Sequence, residues 1–200
     1  MDKSVSPVAQ REFLLSASAV QDSLLQSYRT IHVLIQSCLL GCSAIVFAIH
    51  LFLSWFNWSG TPFGNLLSHL ALTALLVAMF WVQQKTALEL GAVIANRSID
   101  INHFHKEIIL AENLFSPEQR AFTKFKLAQK SRSQDESQLV ARFLPAAGLS
   151  PDDADALLGK GVEHTRRVLD AHFFRRLECL FLAMIIVSAL VTCVTAYSFW

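Results

Sequence analysis

Asp100, His103 and Glu107 are the most closely grouped ionisable residues in the chain. Their spacing of three and then four residues puts all three on one face of a helix, with His105 and Glu112 nearby. An imidazole set between carboxylates can hold a metal ion or relay a proton. Helical metal sites, however, carry H-E-x-x-H or E-x-x-H arrangements, and this segment has neither. A solvated polar face, opposite an apolar seam of Ile101, Phe104 and Ile108, accounts for the same residues without a ligand. Neither a metal nor a cofactor is therefore expected. No Gly-rich phosphate loop, G-x-S-x-G elbow or paired-carboxylate site occurs elsewhere, which argues against an enzyme.

Gln36, His50 and His69 form a second set, because they interrupt stretches that are otherwise apolar. Histidine in a membrane span is uncommon, and it pairs across helices or lines a pathway. Both histidines fall near the ends of their spans that adjoin the same short connector, so an interfacial contact between them is expected ahead of a proton relay. Arg166, Arg167, Arg175 and Arg176 form a third set just before the last apolar stretch. They suit anionic lipid headgroups or an acidic partner surface, and they also serve as a simple topology anchor. Ser37, Gly41, Ala44 and Ala48 come near small-xxx-small spacing, which lets another helix approach closely. Cys38, Cys42, Cys179 and Cys193 lie in or beside apolar stretches, where they are expected to pack as small side chains without a disulfide framework.

The elements that carry these residues follow from where charge is missing. Charged residues make up only 16% of the 200, against about 25% in an ordinary soluble domain. Residues 30–84 contain no Asp, Glu, Lys or Arg, a run of 55, and residues 179–200 form a second run of 22. A bilayer core about 30 Å thick needs about 20 apolar residues in a helix, so the first run holds two spans and a turn and the second holds one. The spans are predicted at Ile31–Trp55, Asn65–Val82 and Leu180–Tyr197. Gly60, Pro62 and Gly64 are expected to break both helices in the connector 57–64.

All 17 Lys and Arg lie before the first span or between Lys85 and Arg176. Positive residues are retained in the cytoplasm, so the N-terminus and the long middle segment are predicted inside, with the connector and C-terminus outside. Tyr28 and Trp81 then mark the inner interface, and Trp55, Trp58, Tyr197 and Trp200 the outer one. Residues 1–13 show no apolar h-region, so the first span is expected to direct insertion. The net charge of +1 gives no reason to expect a nucleic-acid partner.

Outside the spans the periodicity is helical throughout. Residues 1–30 carry an amphipathic pattern through Phe13, Leu14, Val20, Leu24, Leu25 and Tyr28. Leu90, Ile94, Ile101, Phe104, Ile108, Ala111 and Phe115 make an approximate heptad seam, interrupted at Arg97, that extends the second membrane helix beyond the bilayer. Ser116, Pro117 and Gln119 predict a capping-box helix to about Lys130, and Ser150, Pro151 and Asp153 predict another, ended by Gly159 and Gly161. A polar loop at 131–137 and a short helix at 138–144 separate them. From Val162 one helix is expected to run into the third span.

These readings predict an all-α integral membrane protein with three transmembrane helices. Its parts are a cytoplasmic amphipathic helix (1–30), a membrane hairpin (31–82), a cytoplasmic helical segment (83–178) and a third membrane helix (179–200). Its expected partners are the lipid bilayer and further copies of itself or other membrane-complex subunits, in a bacterial inner membrane. The expected role is that of a non-catalytic subunit of a secretion, transport or defence assembly. A homo-oligomeric channel is the alternative, and a membrane enzyme or metal carrier built on Asp100, His103 and Glu107 ranks behind both.

Overall fold

The computed structural model describes residues 6–56, 61–131, 136–159 and 161–197, with the side chains of all of these but 136, 161–167 and 169. Among the described residues every regular element is helical and none is a strand. The elements are α1 (Pro7–Phe56), α2 (Pro62–Glu112), a 3-10 turn (Pro117–Gln119), α3 (Ala121–Ser131), α4 (Glu136–Phe143), α5 (Pro151–Leu158) and α6 (Gly161–Tyr197). Within α1, α2 and α6 lie three segments long and apolar enough, by length and composition, to cross a membrane.

Both long N-terminal helices begin with proline at the first helical position, where its fixed φ fits and its missing N–H costs nothing. This corrects the expectation that Pro62 and Gly64 break the second span before Asn65. Thr61 caps that end instead: its hydroxyl accepts from the Gly64 N–H at 3.3 Å and its carbonyl from Asn65 at 3.1 Å. The helix then continues unbroken through the predicted seam to Glu112. Gly60 and Trp58 lie outside the described residues, as do Trp200 and most of the predicted polar loop.

The chain divides into two compact units. The first comprises residues 1–28 and 93–167 and holds α3, α4 and α5. Its core gathers Ile109, Leu127, Leu139, Phe143, Leu149, Ala154 and Leu157. Ile101, Ile108 and Ala111 of the predicted seam are buried here as well. Full burial of such side chains contributes about 1.5–3 kcal/mol each before entropy is counted.

Two buried polar side chains, Arg120 and Glu112, and the half-buried Asn113 tie this small core together. Arg120, 1% exposed, donates to the carbonyls of Phe115 at 3.0 Å, Pro145 at 2.7 Å and Ala146 at 3.2 Å. Asn113 donates to the Leu149 carbonyl and accepts from the Leu149 N–H, both at 2.8 Å. Glu112, also 1% exposed, accepts from the N–H groups of Phe122 and Thr123, at 2.9 and 2.8 Å, at the start of α3. The predicted capping box at Ser116 is therefore corrected. Ser116 makes no side-chain cap bond and opens only the 3-10 turn, while the α3 cap comes from the last residue of α2. The start at Ser150 is found as predicted: its hydroxyl accepts from the Asp153 N–H at 3.1 Å and donates to the Asp153 carboxylate at 2.7 Å.

The second unit comprises residues 29–92 and 168–200. Here the usual arrangement of a soluble core is inverted. Leu34, Ile45, Ile49, Phe52, Leu67, Leu75, Val77, Ile186, Leu190 and Val194 point outward. Every fully buried side chain in the 31–56 stretch of α1 is polar: His32, Gln36, Ser43 and His50. Water would oppose this arrangement. A lipid surround favours it, because hydrocarbon accepts the apolar exterior and supplies no partners for polar groups. Trp55, Trp81 and Tyr197 also face outward. The four cysteines are free and exposed on the outside of the helices.

Candidate functional site

The candidate site is the polar seam inside the second unit. On α1 its members are Arg29, His32, Gln36, Ser43 and His50, separated by three, four, seven and seven residues. A heptad repeat keeps one stripe of a helix turned toward its neighbours in a left-handed bundle. On α2 the buried stripe is His69, Leu76 and Gln83, again at intervals of seven, and on α6 it is Leu177, Phe181, Ser188 and Thr192.

Pairwise contacts give the register. Gln36 Nε2 donates to the Gln83 carbonyl at 3.3 Å, the Ser43 hydroxyl approaches Met79 Sδ at 3.6 Å, and the His50 and His69 rings lie 4.6 Å apart. These three pairs make α1 and α2 antiparallel. Between α2 and α6, Gln84 Nε2 donates to Glu178 Oε1 at 3.0 Å, Phe80 meets Phe181 at 6.1 Å, and the Thr73 and Thr192 hydroxyls lie 3.1 Å apart. Thr192 spends its own proton on the Ser188 carbonyl at 2.9 Å, so Thr73 is the donor in that pair. Arg29 Nε stands 3.7 Å from Asp170 Oδ2, and His32 stacks on Phe174 at 4.1 Å, which sets α1 and α6 parallel.

The seam is incompletely satisfied. His50 Nδ1 and Nε2, His69 Nδ1, His32 Nε2, Gln36 Oε1 and the Ser188 hydroxyl are buried without a hydrogen-bond partner. A buried polar atom left in this state costs about 1–3 kcal/mol, so the seam carries groups that packing alone would replace with apolar ones. Such an arrangement can accept water, a proton or a polar group from another helix.

The other predicted site residues fare differently. Asp100 pairs with Arg97 at 3.5 Å, His103 is exposed, and Glu112 is taken up by the α3 cap. No group of three His, Cys, Asp or Glu that could hold a metal ion exists among the described residues. His105 packs 5.1 Å from the Phe122 ring. Burial pushes its pKa down to about 4; Lys126 adds to the effect and Asp22 opposes it. Burial also lowers the Lys130 pKa, with help from Arg142, while its ammonium donates to the Ala156 carbonyl. Arg175 and Arg176 are exposed on α6, and the side chains of Arg166 and Arg167 lie outside the described residues.

Of the seam, only Gln36, His50 and His69 stand out when residues are read singly. Arg29, His32, Ser43, Gln83, Ser188 and Thr192 did not, although the recurrence of polar residues every seven positions on α1 was present as a signal. Periodicity is ordinarily sought in apolar residues, and in a bilayer the informative stripe is the polar one. No protein-family model, curated protein or solved structure matches the chain.

Proposed function

We propose that the chain is a multi-pass protein of a bacterial inner membrane, with its N-terminus and middle segment cytoplasmic, and that it serves as a non-catalytic subunit of a membrane assembly. The observation that supports this most is how its polar residues are used. In the first unit Glu112, Asn113 and Arg120 are committed to backbone ties. In the second, the seam joins three helices to one another. The outward side of α1 then retains Ser37, Gly41, Ala44 and Ala48, with open space around Gly41. A second copy or a foreign subunit can approach there. The test is the mass of the complex extracted into native nanodiscs, with co-purifying proteins identified. A defined oligomer or stoichiometric partners support the reading, and a lone monomer with no cross-linked partner refutes it.

A homo-oligomeric channel is the second reading. It is favoured by the unpartnered polar atoms of His50, His69, Gln36 and Ser188, since polar groups inside a membrane commonly mark pathways for ions or protons. Flux of protons or small ions through reconstituted vesicles, abolished by replacing both histidines, would support it. Tight vesicles would remove it.

A further inference from the structure

His172, Arg175, Arg176, Cys179 and Leu180 recur at intervals of three, one, three and one, which places them along one face of α6. All five are exposed and line a cleft of about 580 Å³. That volume falls within the roughly 300–1,000 Å³ usual for small-ligand sites. Two acids of the same helix whose side chains are described are engaged elsewhere: Asp170 faces Arg29 of α1, and Glu178 accepts from Gln84 of α2. Among the described residues neither Arg175 nor Arg176 has a hydrogen-bond or ion-pair partner. The face is thus cationic at one end and apolar at the other. Its apolar end leads directly into the charge-free run 179–200.

We infer that this face is a binding site for the phosphate-bearing headgroup of an anionic phospholipid. Planar guanidinium groups offer paired donors to phosphate oxygens, and His172 adds a third donor one turn earlier. Leu180 and Cys179 suit the start of an acyl chain, which a free phosphate lacks. The inference rests on α6 crossing the membrane and not on the assembly reading. Resistance to carbonate extraction therefore serves as a separate control for insertion.

Full-length protein is reconstituted in nanodiscs of zwitterionic lipid containing a minor fraction of phosphatidylglycerol, and retained lipid is counted by native mass spectrometry. Each basic residue at an anionic surface contributes a factor of about five, so R175Q/R176Q is expected to lose retained phosphatidylglycerol by roughly 25-fold. K85Q, which removes a cation from α2, is expected to change it little. R175K/R176K keeps the charge and is expected to fall between, which separates fork geometry from charge. Retention by R175Q/R176Q equal to that of the parent overturns the site. Displacement of the lipid by inorganic phosphate overturns the lipid assignment in favour of a free anion.

Discussion

The Glu112 carboxylate accepts from both the backbone N–H and the hydroxyl of Thr123, each at 2.8 Å, across a boundary between two helices. One side chain at the end of α2 thereby satisfies the first free N–H groups of α3. Removing it strands buried donors. Glu112→Ala is expected to destabilise the first unit by about 2–4 kcal/mol. Amide hydrogen exchange at Phe122 and Thr123 is the check, and unchanged protection there would show that the cap is dispensable.

Gly148 has φ +89°, and a Cβ built on it would meet Asn113 Cγ at 2.8 Å. Asn113 cannot easily yield, because its amide is bonded in both directions to Leu149. Gly148→Ala combines a left-handed backbone with a clash, for an expected loss of about 1–3 kcal/mol. Chemical denaturation of the variant would measure it. A neutral substitution would mean that the 145–149 turn can rearrange.

The seam makes an unusual prediction for a buried polar cluster. Intramembrane hydrogen bonds average only about 0.6 kcal/mol, so Gln36→Leu should cost less than about 1 kcal/mol. His50→Leu with His69→Leu removes imidazole atoms that have no partners and should leave thermal stability in detergent unchanged or raised. A marked loss of stability would instead reveal a satisfying partner, such as bound water or another subunit.

His105 gives the first unit a dependence on pH. Its folded pKa is about 4, against an ordinary value of 6.5, so between these values the unfolded chain binds more protons. Stability contributed by the neutral ring is fully present above pH 6.5 and is lost as pH falls toward 4. His105→Leu should flatten that part of the profile. An equally steep profile in the variant would assign the effect to other groups.

Helix positions and membrane-length runs were legible in the sequence because both are sums over neighbouring residues. The 55-residue charge-free run, the Ser150 cap and the unbroken helix beyond Val162 needed no distant partner to be recognised. The start of α3 was misread for the same reason: Ser116 is adjacent in sequence, whereas the group that caps the helix reaches it from α2. Which stripe of α1 turns inward was likewise beyond local reading, since several faces are apolar enough to meet lipid. That choice depends on what α2 and α6 present opposite it, such as the Gln83 carbonyl facing Gln36 and the His69 ring facing His50. Sequence alone determined that three apolar membrane-length segments exist, because hydrogen bonding and transfer into hydrocarbon act residue by residue. Only the tertiary structure decided the seam, because a polar group in hydrocarbon is stabilised by the partner it finds, and that partner lies on another helix.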